Sequence, residues 1–198
     1  KEFSISLTCE TPNSEIRFTT NGSVPDKHNS EIYQQPIIIS RTTVIRARAF
    51  RNDWVSSAVL TRSFIQIDEL VHQSDTPDGL RSRWDDVDAD YEMDPRITGL
   101  HTAEIKTALK SLPMVSVVAP TSSLFGKTGI YSNPWNRGHK WEVPAVLEFL
   151  DYQDETGFQA PCGLRLAGYE SRRPDWKKHS LRLSFRSRYG LSVVEHPI

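Results

Sequence analysis

Glu15-Ile16-Arg17-Phe18-Thr19-Thr20-Asn21-Gly22 is the stretch on which the fold reading turns. Ile16 and Phe18 alternate with polar neighbours, so one face of an extended segment is apolar. Asn21-Gly22 then supplies the positive φ angles of a tight hairpin turn. The same period of two continues outward in both directions. Phe3, Ile5, Leu7 and Cys9 alternate upstream, Ile37 to Ile39 follows the break at Pro36, and Thr43 to Phe50 and Ser57 to Ile65 extend the pattern. In Thr43 to Phe50, Ile45, Ala47 and Ala49 face one way and Arg46 and Arg48 the other. Short strands of even spacing, with no helical period before residue 67, predict an Ig-like β-sandwich over residues 1–66.

The second half reads as mixed. Thr102 caps a predicted helix whose Ile105, Leu109 and Leu112 share one face, and Pro113 ends it. Met114 to Ala119 reads as a buried strand. Trp141 to Leu150, Gly163 to Ala167 and Ser180 to Arg186 alternate as strands of a sheet with one wetted face. The expected fold class is mostly β: the sandwich, an acidic connector over residues 67–95, and a small α+β unit with an antiparallel-rich sheet over 96–198.

At 198 residues and 22.6 kDa, the chain accommodates one ordinary domain or two small ones. Its 37% hydrophobic and 25% charged residues are those of a folding chain rather than a disordered one. The uncharged stretch Leu112 to Gly126 contains Pro113 and Pro120 and is too short and polar for a membrane span. A net charge of -1 argues against a nucleic-acid partner for the whole body. The charges are nevertheless segregated. Ile67 to Pro95 has ten acidic residues against Arg81 and Arg83, a balance of -8, and Arg165 to Arg188 has eight basic residues against Glu170 and Asp175, a balance of +6. In the basic run Leu181, Leu183 and Phe185 are expected inward, with Arg182, Ser184 and Arg186 outward beside Arg165. Such a cationic face either pairs with the acidic connector of the same molecule or holds phosphate groups through guanidinium forks.

Most motifs that carry chemistry fail on spacing. Gly126-Lys127-Thr128 lacks the earlier glycine of a phosphate loop, because Thr121 stands there, so an ordinary turn is expected. Asp86, Asp88 and Asp90 alternate like the start of a calcium loop, but Tyr91 and Ile97 occupy the glycine and bidentate-glutamate positions, which favours a solvated acidic segment. His139 and Glu142 have no third ligand and read as surface residues. No metal is expected. Cys9 and Cys162 read as two buried thiols rather than a disulfide framework. Trp54, Trp135, Trp141 and Trp176 can stack on sugars where exposed. The alternation that begins at Phe3 and the open end at Val193 to Ile198 read as those of a segment from a longer protein.

Two resemblances follow from particular motifs. Ile16 to Pro25, Tyr33 with Pro36-Ile37, Thr43-Val44-Ile45-Arg46-Ala47-Arg48-Ala49 and Ser56-Ser57 resemble the chitobiase/β-hexosaminidase C-terminal-like domain. That family consists of accessory sandwiches in large secreted bacterial proteins, and it brings no catalytic residues. Met93-Asp94-Pro95, Leu112 to Val118, Leu124-Phe125-Gly126 with Gly129-Ile130-Tyr131, Arg137-Gly138 with Trp141 to Ala145, Gly163 to Gly168, and Lys178 to Leu183 resemble the leading portion of the CotH kinase family of secreted bacterial proteins.

The second resemblance implies a nucleotide-covering lobe. Gly168 to Arg172 would form its turn, Lys178 would be the phosphate contact, and Arg165 and Arg182 would supply further phosphate contacts. For the whole protein it implies ATP and Mg²⁺ as cofactors, an extracellular or cell-surface location, and the remaining C-terminal part of the parent chain as partner. Tyr169 and Glu170 depart from the small residues usual after the first glycine, and Glu170 would repel phosphate. No His-Arg-Asp or Asp-Phe-Gly segment occurs in the 198 residues, so no catalytic residue is assigned and this portion is expected to be non-catalytic. The alternative is a binding or spacer module for cell-surface carbohydrate or protein, with no enzymatic role.

Overall fold

The computed structural model describes residues 2–78, 80–84, 86–151 and 157–190. The fold is mostly β, and among the described residues all strand pairs are antiparallel. The chain divides into two compact units, Lys1–Gln66 and Ile67–Ile198.

Among its described residues the first unit has six strands: β1 (Phe3–Ile5), β2 (Glu15–Thr19), β3 (Glu31–Ile32), β4 (Ile37–Ile39), β5 (Thr43–Phe50) and β6 (Leu60–Phe64). A four-stranded sheet in the order β3-β2-β5-β6 and a two-stranded sheet β1-β4 make the two layers. Phe18, Ile45 and Ala47 from the larger sheet bury against Ile39 from the smaller, with Ile5, Ile16, Ile37 and Phe64 packed around them. Period-two alternation is what makes this layer possible, since each strand offers one apolar side. Arg46 falls on the opposite side but is buried too, and its Nη1 donates to the Gly22 carbonyl at 2.8 Å.

The turn after β2 differs from the predicted two-residue hairpin. Gly22 does take a positive φ of 76°. However, Arg17 pairs with Ile32, so residues 20–30 form a long connection. Side chains hold it: Asn21 Oδ1 accepts from the Ser23 amide at 3.0 Å, and Asp26 Oδ1 accepts from the His28 and Asn29 amides, each at 2.8 Å. Such local bonds give the backbone an alternative to ladder pairing.

Residues 67–95, read from their charge as a connector, belong to the second compact unit. They carry α1 (Ile67–Val71) and the strand pair β7 (Arg83–Trp84) and β8 (Val87–Asp88). Trp84 is buried, its ring 5.7 Å from Phe125 and 5.6 Å from Tyr131. The apolar residues between the acids decide the packing, while the acids stay at the surface. Asp85 lies outside the described residues. The helix predicted from Thr102 begins earlier, as α2 (Pro95–Ser111). Asp94 caps it, accepting from the Arg96 amide at 2.9 Å, and Pro95 takes the first position, where its missing N–H has no helical partner. Non-helical angles at His101, φ -127° and ψ 29°, break the helix beside Thr102, where the apolar period starts.

Next come β9 (Met114–Val118), α3 (Thr121–Phe125), β10 (Val143–Leu150), β11 (Phe158–Leu166) and β12 (Leu181–Ser184). The sheet order is β12-β11-β10-β9, which makes β9 an edge strand rather than a buried one, with Val115 exposed. Ala145, Leu147, Cys162, Leu164 and Leu166 form the inner face, and Ala119 and Ile130 from the connection between β9 and β10 bury against it. Each fully buried Leu there contributes about 1.5–3 kcal/mol. The outer face, predicted to be wetted, is buried along β10 at Val146 and Glu148. Among the described residues no helix is long and apolar enough to cross a membrane.

Candidate functional site

The sheet register assembles one charged row. Val143 pairs with Leu164, which places Glu142 against Arg165, and Arg165 pairs directly with Arg182. Glu142, expected at the surface, is instead fully buried at its side chain. Its Oε1 accepts from Arg188 Nη2 and from the Tyr189 hydroxyl at 3.1 Å. Arg165 Nε lies 3.8 Å from Oε2 and Arg186 Nε 3.6 Å from Oε1. Burial raises the Glu142 carboxyl, but the bonds from Arg188 and Tyr189 and the charges of Arg186 and Arg188 outweigh it and hold the group below its ordinary value. Gly163 is required by this cluster, because a Cβ there would sit 2.5 Å from Tyr189 Cε2 and 2.6 Å from Glu142 Oε1.

Lys178 and Gly168 lie in the connection from β11 to β12. Ala167 donates to Ser180 at 2.8 Å, so residues 168–179 form a loop closed by that bond. Gly168 adopts φ 77°, and a Cβ there would meet Ser171 Oγ at 2.2 Å. The loop is filled by the buried Arg172. Its Nε donates to the Gly168 carbonyl at 2.8 Å and its Nη1 to Pro134 at 2.9 Å and Asn136 at 3.0 Å, while Nη2 reaches Leu166. Desolvation lowers the Arg172 pKa, and the charges of Arg137 and Arg165 add to this. His179 Nδ1 lies 2.7 Å from the Ser171 carbonyl, which completes the inner wiring.

The Lys178 ammonium points elsewhere. It sits 3.6 Å from Asp90 Oδ1 and 3.4 Å from the Glu92 carbonyl. Asp90, Glu92, Asp94, Pro95, Arg96 and Lys178 line an open cleft there, so its rim carries three carboxylates against two cations. The acidic segment therefore engages Lys178, whereas Arg165 and Arg186 of the cationic face turn to Glu142. Arg182 is exposed and makes no ion pair among the described residues. The expected pairing of the acidic segment with Arg165, Arg182 and Arg186 gives way to this arrangement, because Glu142 is already in register beside Arg165.

Residues 5–64 match a family model described as Fn3 associated. The match covers almost all of the sandwich and stops at the end of β6. No curated protein and no solved structure matches the chain. Within residues 5–64 Cys9 is exposed, contrary to the buried-thiol expectation, while Cys162 in the second unit is buried. Hydrogen bonding to the Thr11 backbone lowers the Cys9 thiol, and burial raises that of Cys162. Among the described residues no group of three or more His, Cys, Asp and Glu side chains could hold a metal ion. Asp88 instead faces Arg83 at 3.5 Å. Gly126 and Gly129 form the exit turn of α3, their amides bonded to the Ser122 and Gly126 carbonyls at 2.9 and 2.8 Å.

Sequence patterns missed two features of this region. Glu142 was legible only through register, because its identity as a buried acid depends on Arg165 lying opposite. Arg172 looked like one basic residue among eight, and nothing in its neighbourhood marks a guanidinium enclosed by carbonyls.

Proposed function

We propose that the chain is a non-catalytic part of a large exported bacterial protein of the CotH-like kind, combining an accessory sandwich with a lobe-like sheet. Its location is extracellular or at the cell surface, and its partner is the remaining C-terminal part of the parent chain. The observation that carries the non-catalytic reading is the placement of Lys178, paired with Asp90 in a cleft that also presents Glu92 and Asp94. A triphosphate at that lysine would meet like charge, and Arg172 has already given its donors to backbone carbonyls. These contacts favour a turn that does not by itself hold Mg·ATP in this part of the chain.

A second reading, a binding or spacer module for cell-surface carbohydrate or protein, is favoured by the exposure of Trp54, Trp135 and Trp176. Thermal melts of the chain separate the two functions from nucleotide binding. The expected result is a melting temperature unchanged by millimolar Mg·ATP. A saturable rise with Mg·ATP that is abolished in Lys178→Ala overturns the non-catalytic reading.

A further inference from the structure

Arg172 does more than fill a loop. Its guanidinium ties the carbonyls of Pro134 and Asn136, on either side of Trp135, to those of Leu166 and Gly168, which precede Tyr169. Two connections that are distant in sequence are thereby locked together at the two residues whose side chains point outward. Trp135 and Tyr169 are 49% and 65% exposed, with ring centroids 6.3 Å apart and planes inclined by 67°. Arg137 extends from the same loop, its guanidinium 5.2 Å from the Tyr169 ring, and makes no ion pair among the described residues. The nearby acids Glu170 and Asp175 are occupied by Arg173, at 3.6 and 2.7 Å.

Burying a guanidinium is costly, and here it fixes the backbone that carries two exposed aromatic rings. We propose that Trp135, Tyr169 and Arg137 form a binding site for a uronate-bearing oligosaccharide. The exposed Trp135 ring suits the C–H face of a pyranose, whose hydrogens carry partial positive charge, beside a Tyr169 ring that Arg137 covers on one face. Rigid Trp and Tyr side chains provide contact area with little loss of conformational entropy. The planar fork of Arg137 matches a sugar carboxylate bidentately, which selects an acidic glycan over a neutral one. This site rests on the binding-module reading and is independent of the kinase resemblance.

Titration calorimetry on the full 198-residue chain tests it, with tetragalacturonate as the acidic probe and cellotetraose as the neutral one. Tetragalacturonate is expected to bind, with affinity reduced at least tenfold by Trp135→Ala or Tyr169→Ala. Arg137→Gln should reduce tetragalacturonate affinity by about tenfold, and Val55→Ala, at an exposed position of the sandwich, should leave it unchanged. If Trp135→Ala melts early, the exposed Tyr169→Ala variant carries the test. No binding of tetragalacturonate by the wild-type chain, or equal binding by wild type and a well-folded Trp135→Ala, overturns the site. Binding of cellotetraose without tetragalacturonate overturns the acidic-glycan site and leaves the binding-module reading standing.

Discussion

Arg188 donates from Nη2 to Oε1 of Glu142, a carboxylate whose side chain is fully buried and which Arg165 and Arg186 also approach. One acid thus neutralises part of a cationic face from within. Replacing it leaves the arginines facing one another, although Arg186 and Arg188 retain 40% and 47% exposure and can turn to water. The expected cost of Glu142→Ala is therefore about 3 kcal/mol, the lower end for a broken buried pair. Because the folded pKa of Glu142 lies below its ordinary value of 4.5, its charged state stabilises the fold fully above that pH. That contribution is lost as pH falls through the depressed folded value. Urea unfolding of wild type and Glu142→Gln should differ clearly at pH 7, and the difference should shrink as pH falls from 4.5 toward the depressed folded value. A difference that persists unchanged into acid would exclude the carboxylate as its source.

Gly163 carries a steric demand from the same cluster. Adding a methyl group places it 2.5 Å from Tyr189 Cε2 and 2.6 Å from Glu142 Oε1. Gly163→Ala should destabilise the second unit by about 1–3 kcal/mol, the usual cost of overpacking. Tyr189→Ala opens one side of the contact, so the double variant should be more stable than the sum of the two single losses implies. Strict additivity in a thermal-melt cycle would mean that the tyrosine ring is not the obstacle.

The two thiols should separate chemically. Cys9 is exposed with a lowered pKa, and Cys162 is buried with a raised one. Since the thiolate is the reactive species, iodoacetamide at pH 7.5 should modify Cys9 in the native chain and leave Cys162 untouched. Both should react in denaturant. Peptide mass spectrometry reads the outcome, and native labelling of Cys162 would contradict its burial.

Alternation in Ile16, Phe18, Ile45 and Ala47 was enough to identify the sandwich core, because in a strand side-chain direction follows directly from sequence parity. Asp94-Pro95 also carried a start signal for α2, but the apolar period resumes only after His101, and that later signal displaced the boundary. Charge was a poorer guide. The acids of residues 67–95 suggested a connector, yet Val71, Trp84 and Ala89 between them are buried. The site depended on register and long-range packing. Glu142 acquires its role from Arg165, and Arg172 from carbonyls 36 and 38 residues away, relations that no local pattern encodes.

Arg182 shows how register can reverse an expectation drawn from charge. If the cationic face rested on the acidic segment, Arg182→Glu would lower stability. In the structure Arg182 stands directly opposite Arg165 on the neighbouring strand, and Lys178 engages Asp90 instead. Like charges directly opposite in an antiparallel pair are destabilising, and opposite charges favour pairing by about 0.2–1 kcal/mol. Arg182→Glu should therefore leave the fold as stable as wild type or raise its stability by up to about 1 kcal/mol. The gain should shrink in 1 M NaCl, where exposed charges are screened. Arg182→Gln should fall between the two, having removed the repulsion without adding an attraction. Chemical denaturation at low and high salt decides it, and a salt-sensitive loss of stability in Arg182→Glu would place an acidic partner at Arg182 after all.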